Sequence, residues 1–159
     1  MAIGKGETLP DGVFKTMTKK GVVDIRVDDV FKGKKVALFA VPAAFTPGCS
    51  QIHLPSYIDA YDEIMAAGFD DIACIAVHDA WVMHAWATSL DGGDKITMLA
   101  DGSATYVRTL GLDLDLTAHG MGIRCQRFSM VVVDKRIESL NIDERVIETT
   151  SALHTCGLS

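Results

Sequence analysis

Positive charge is in short supply in this chain: 15 Lys and Arg stand against 21 Asp and Glu, a formal net charge of −6 at pH 7. That excludes the clustered basic surface by which a protein holds nucleic acid or an anionic membrane, and leaves small molecules and other proteins as partners. There is no run of about eighteen apolar residues of the kind a membrane-spanning helix needs. The first twenty residues, MAIGKGETLPDGVFKTMTKK, also lack the apolar core of a secretory signal. The chain therefore reads as soluble, intracellular and cytoplasmic. Its four cysteines, at 49, 74, 125 and 156, form neither a C-x-x-C pair nor a cysteine and histidine cluster at metal-ligand spacing. No zinc site is expected, and in a reducing compartment such thiols stay unpaired. Internal repeats and low-complexity tracts are absent too. What remains, 159 residues at 48% hydrophobic and 23% charged, suits one globular domain over residues 1–159 with a sizeable core.

Strands and helices alternate along the chain. Residues 12–16 and 22–27 alternate loosely around the turn-like KKG at 19–21, which predicts an N-terminal hairpin. Short apolar runs at 36–41, 72–77 and 96–99 read as buried strands. Asp79 is placed to cap a helix carrying Trp81, Val82, Ala85 and Trp86 as far as Leu90, and 103–110 reads as another. Beyond a Gly- and Leu-rich segment at 111–123, a long strand is expected over 125–133, paired with 137–141 across a turn, before a short helix from about Thr150. This order predicts an α/β sheet covered on both faces, with ligands bound beyond the carboxyl ends of its strands.

The stretch VALFAVPAAFTPGCSQIHLP, from Val36 to Pro55, organises the rest. Its strand breaks at Pro42. Thr46 and Pro47 then suit the N-cap and the first helical position, which puts Cys49 in the first helical turn. There, unpaired N–H groups and the positive end of the helix dipole favour a thiolate, the reactive form. Taken alone, Cys49 reads as well as a small buried apolar residue. The helix should kink or break at Pro55 and resume from Ser56 to Gly68, with Tyr57, Ile58, Tyr61, Ile64 and Met65 on one face.

The spacing Pro42-x-x-x-Thr46-x-x-Cys49 resembles the signature of the peroxiredoxins, and the string PAAFTPGCSQIHLPSY is similar to their type II, or type 5, subfamily. The resemblance extends to IACIAVHDAWVMHAW and RCQRFSMVVVD. It implies the thioredoxin-like fold with peroxiredoxin additions, a central mixed sheet flanked by helices, and a thiol-dependent peroxidase that needs no metal or organic cofactor. By the same resemblance, the Thr46 hydroxyl touches sulfur and peroxide besides capping the helix. Pro42 shields the sulfur from water, or simply ends its strand, and Gly48 offers an N–H to the substrate.

An arginine among the apolar neighbours of QRFSMVVV is costly unless an anion or a hydrogen-bonded partner meets it. Arg124 and Arg127 would face opposite sides of a regular strand. The resemblance favours Arg127, directly before FSM, whose other reading is a structural ion pair. His53, four residues after Cys49, lies near the same helical face and is either a pocket residue or a structural hydrogen-bonding group. Trp81 and Trp86 read as core or interface. His78, His84, His119 and His154 carry no motif and receive no role. Cys74 reads as buried, although some relatives, notably plant ones, carry a cysteine there that has been suggested as a partner. Cys125 would share a strand face with Arg127. Ser151 stands where animal members hold a resolving cysteine, five residues before Cys156.

The resulting expectation is a peroxidase for hydrogen peroxide and alkyl hydroperoxides acting through a Cys49 sulfenic acid. An external thiol resolves it, with glutathione and glutaredoxin favoured over thioredoxin, and the protein is a homodimer joined near the active-site loop and Trp81. The alternatives are a redox sensor or relay, and a disulfide oxidoreductase or chaperone-like module on the same fold. An exchange enzyme needs a second thiol close to Cys49.

Overall fold

In the computed structural model, which describes residues 1–158, the chain begins with an antiparallel hairpin of Val13–Thr18 (β1) and Gly21–Arg26 (β2). Its turn relies on Gly21 at φ +101°, a conformation open to glycine and unfavourable for other residues. A short helix, Val27–Phe31 (α1), leads into Lys35–Ala40 (β3). Helical residues then run from Pro47 through a π turn at Cys49–His53 into Leu54–Asp59 (α2) and Tyr61–Ala66 (α3). Next come Asp71–Ala76 (β4), Ala80–Thr88 (α4), Thr97–Ala100 (β5) and Thr105–Leu110 (α5). The chain continues as Asp113–Leu116 (β6), Gly122–Cys125 (β7), Arg127–Val133 (β8) and Arg136–Asp143 (β9), and ends in Ala152–Cys156 (α6).

Seven strands form one mixed sheet in the order β2-β1-β5-β4-β3-β8-β9, and β6 and β7 form a separate two-stranded ribbon. β3, β4 and β5 run parallel, and β8 lies antiparallel to β3. Alternation along β3 divides the core: Val36, Leu38 and Ala40 face a cluster with α1 and α5, while Ala37, Phe39 and Val41 face α2, α3, α4 and α6. Strands covered on both sides must be apolar throughout, which is why β3 and β4 read as continuous hydrophobic runs. Asp79 caps α4 as expected, its carboxylate accepting the Val82 N–H at 2.8 Å.

Four details depart from the sequence-based expectation. The segment 111–123 holds β6. The long strand expected over 125–133 is divided at Gln126, whose N–H bonds the Leu112 carbonyl at 2.8 Å as the chain passes from ribbon to main sheet. Cys125 therefore packs in the α1/α5 cluster, on the other face of the sheet from Arg127. The third departure is at Pro55, where the helix does not break. The preceding turn is π, with the Leu54 N–H bonded to the Cys49 carbonyl. Such a widened turn displaces the carbonyl that the proline ring would strike, and the interruption falls instead at Ala60, with φ −91° and ψ 5°. Finally, α4 buries Ala80, Met83, Trp86 and Ala87, leaving Trp81 and Ala85 in solvent.

Candidate active site

Cys49 lies where β3 has given way to the loop 41–46, at the carboxyl end of the parallel strands, and is buried at 1% exposure. The Thr46 carbonyl accepts the Ser50 N–H at 2.9 Å, so the helix does start at Thr46, with Pro47 first inside it. The Gly48 and Cys49 N–H groups precede that bond and have no intrahelical partner, which leaves them as donors near the sulfur. The Thr46 hydroxyl does not cap the helix. It donates to the Ala43 carbonyl at 2.7 Å and so ties the loop to itself.

Arg127 is the first residue of β8. The register Ala40↔Phe128 sets it opposite the end of β3, on the same sheet face as Phe39 and the helix that carries Cys49. Its Nη2 donates to Cys49 Sγ at 3.0 Å, and its Nη1 lies 2.7 Å from His53 Nδ1. One planar guanidinium thus holds both side chains, the fixed fork geometry that a lysine lacks. The bond to Cys49 sets a full positive charge directly against the sulfur. The partner that a half-buried arginine in QRFSMVVV required is therefore this pair, and among the described residues no carboxylate forms a salt bridge with Arg127.

His53 is fully buried, 5.0 Å from the Phe39 ring, and Phe39 in turn stacks on Tyr57 at 4.0 Å. Because Arg127 donates to Nδ1, the proton of the neutral ring sits on Nε2, which donates to the Thr150 carbonyl at 3.0 Å. Burial, with the Arg127 charge added to it, pushes the imidazole down to about 3, so it stays neutral. The same Thr150 carbonyl accepts the Tyr57 hydroxyl at 2.7 Å. Thr150 is fixed in turn by Asp143 at the end of β9, whose carboxylate accepts the N–H groups of Glu148, Thr149 and Thr150 and both threonine hydroxyls. Burial opposes the Asp143 charge, but these bonds hold the carboxyl well below the usual carboxylate range. On the other side of the helix, the buried Trp86 indole donates to Ser50 Oγ at 2.8 Å.

Pro42 and Arg127 line a cavity of about 400 Å³ with Leu114, Gln126, Asp143, Glu144 and Arg145. Gly48 faces Ile147 Cδ1 and Arg127 Nη2, which a Cβ would approach to 3.5 and 3.6 Å. None of the four cysteines is in a disulfide. Burial raises the Cys74 thiol well above its ordinary value and pushes Cys125 and Cys156 up to about 12, so all three are poor nucleophiles. Arg124 lies elsewhere, against His78. Among the described residues, no group of three or more His, Cys, Asp or Glu is placed to hold a metal ion, and no helix is long and apolar enough to cross a membrane.

The sequence reading left out Asp143, Thr150, Ser50 and His78. A threonine pair a few residues after an aspartate is a local signal for carboxylate-bound turns. The other contacts join distant parts of the chain and carry no such sign.

Residues 4–154 match the family model described as Redoxin. Peroxiredoxin-2C of Oryza sativa subsp. japonica is 41% identical over 143 residues, covering 89% of this chain and 88% of the relative. Among solved structures, reduced Prx3 in complex with H2O2 from Vibrio vulnificus superposes with a TM-score of 0.93 at 41% identity, covering 98% of both chains. Peroxiredoxin 5 from Alvinella pompejana superposes at 0.85 with 34% identity, covering 97% of this chain and 96% of that one. The fold is the thioredoxin-like mixed sheet flanked by helices, with the peroxiredoxin additions.

The Asp143 knot has a pH signature. A carboxyl depressed in the folded state contributes stability that is complete above the unfolded carboxylate pKa of about 3.9 and is lost as pH falls below it. Asp143→Asn is therefore expected to cost about 2 kcal/mol in urea unfolding at pH 7, with the gap to wild type narrowing below about pH 4. A gap of equal size at pH 7 and pH 3 would rule out the carboxylate's charge as its source.

Proposed function

The chain belongs to the peroxiredoxins, in their type II or type 5 group, and we propose that Cys49 reduces hydrogen peroxide and alkyl hydroperoxides through a sulfenic acid resolved by an external thiol. The observation that carries this reading is the Arg127 fork on the Cys49 sulfur. The thiolate attacks the terminal peroxide oxygen, the O–O bond breaks, and its electron pair leaves with the distal oxygen, which takes up a proton to become water or an alcohol. Negative charge builds on both oxygens during that displacement. The guanidinium and the Gly48 and Cys49 N–H groups are the donors that meet it, a preorganised electrostatic arrangement, while the Thr46 hydroxyl, its proton on the Ala43 carbonyl, offers a lone pair to the peroxide hydrogen. Pro42 keeps water from the sulfur, and His53, neutral and wedged between Arg127 and Thr150, holds the guanidinium in place.

For resolution, one external thiolate attacks the sulfenic sulfur, forming a mixed disulfide and expelling hydroxide, which takes the proton that the external thiol gave up and leaves as water, and a second releases Cys49 as thiolate. Glutathione with glutaredoxin is the favoured reductant, with thioredoxin as the second choice, in a cytoplasm that keeps thiols reduced. Burial of Cys74, Cys125 and Cys156 supports a cycle that uses only one cysteine of this chain. The exposed Phe45 and Trp81, at 57% and 66%, sit on the active-site loop and on α4, where the proposed twofold dimer joins.

Cys49→Ser is expected to abolish peroxide reduction. Arg127→Gln is expected to slow Cys49 oxidation by about 2 kcal/mol or more, measured as a second-order rate constant with hydrogen peroxide, and Arg124→Gln by much less; the reverse ranking would sink the assignment of Arg127. The triple variant lacking Cys74, Cys125 and Cys156 should keep near-normal turnover with glutathione and glutaredoxin, whereas loss of turnover in a folded triple variant would identify an internal resolving thiol. Light scattering at micromolar concentration should give twice the monomer mass, and a monomeric mass would remove the dimer from the proposal.

A further inference from the structure

His78 carries no sequence motif and stands outside the machinery described above, yet it is bonded to that machinery from behind. It follows β4 by two residues and is half-buried. Its Nε2 lies 2.9 Å from the Ala44 N–H. A backbone N–H only donates, so Nε2 is the unprotonated acceptor of the ring. Ala44 belongs to the loop between Pro42 and Thr46, in which the Thr46 hydroxyl bonds the Ala43 carbonyl and Phe45 adopts φ +65°. A non-glycine residue holds such a left-handed backbone only where its surroundings fix it, and the bond to His78 is made by the residue immediately before it.

Arg124 secures the imidazole. With Nε2 the acceptor, the ring proton is on Nδ1, so Arg124 Nη1, 3.0 Å from Nδ1 and 3.3 Å from Nε2, packs against the ring without a bond to Nδ1, and it donates to the Val77 carbonyl at 3.3 Å. Its Nε donates to the Met121 carbonyl at 2.8 Å, tying β7 and the preceding turn to the same point. Burial and the Arg124 charge push the imidazole down to about 4, only partly offset by Asp79, so the ring stays a neutral acceptor at neutral pH.

We propose that His78 is a positioning residue for peroxide reduction: by accepting the Ala44 N–H, with Arg124 clamped against it, it sets the loop that presents Pro42 and the Thr46 hydroxyl to a peroxide at Cys49. The inference deepens the peroxidase reading above and rests on it. It predicts a loss confined to the peroxide reaction, because alkylation of Cys49 by iodoacetamide needs the thiolate and access but not the Thr46 hydroxyl.

The test compares H78L, which removes the acceptor at similar size, with H78N, whose amide oxygen can accept in place of Nε2. Rate constants with hydrogen peroxide are read by competition against a second peroxidase, and alkylation rates by iodoacetamide labelling of Cys49. H78L is expected to react with peroxide about ten- to a hundredfold more slowly than wild type, with near-normal alkylation, and H78N is expected to recover most of the rate. Three results overturn the inference: H78L within about twofold of wild type, H78N as slow as H78L, or an equal fall in alkylation. If H78L does not fold, H78A, which admits water to the Ala44 N–H, is judged by the same criteria. Wild-type protein that consumes no peroxide would refute the peroxidase reading itself, whereas an active wild type with indifferent His78 variants refutes this inference alone.

Discussion

The site depends on one guanidinium placed at the start of an interior strand of an apolar sheet. Arg127 bonds Cys49 with one nitrogen and His53 with the other, so the sulfur and the imidazole are fixed relative to each other through a planar group that cannot lose its charge. Burying that charge is unfavourable unless its donors are met, and the structure meets them with two side chains one turn apart on a single helix. Four residues apart, Cys49 and His53 share one side of the helical turn, which here is a π turn.

From His53 the constraint runs outward through the Thr150 carbonyl to the Asp143 carboxylate, which closes the chain after β9 onto α2. Tyr57 bonds the same carbonyl and Thr155, and Ser129 on β8 bonds Thr155 as well. The C-terminal segment is thus part of the support behind Arg127. The loop 41–46 is held from the opposite direction by His78 and Arg124. Arg127 and the loop approach the same sulfur, each backed by its own set of contacts.

What could be read from the sequence follows from how local each signal was. Pro42, Thr46, Pro47 and Cys49 lie within eight positions, and strand end, helix start and first turn follow from their own backbone preferences, although the Thr46 hydroxyl turns to the Ala43 carbonyl and does not cap. Arg127 stood out because a charge in an apolar strand needs a partner, although the sequence did not reveal that the partner was a sulfur and an imidazole together. Arg124 does lie away from the sulfur, but because the strand is broken at Gln126 and not through simple alternation. The β6–β7 ribbon was hidden in a Gly- and Leu-rich segment without clear alternation. The π turn was hidden because Pro55 announces a disturbance without saying which form it takes. His78 to Ala44, His53 to Thr150 and Trp86 to Ser50 join positions 34 to 97 residues apart, and no local pattern encodes such pairs.

The two tryptophans differ in a way that gives the molecule a built-in optical reporter. Trp81 is 66% exposed, whereas Trp86 is fully buried with its indole N–H on Ser50, the residue after Cys49. Emission from the exposed indole should be red-shifted in the single chain and report on whatever covers α4. The buried indole emits from a dry setting, and its N–H contact lies on the helix that carries Cys49. A displacement of that helix turn alters the surroundings of the buried chromophore, so a change in the blue part of the emission band reads the turn that carries Cys49 without any attached label.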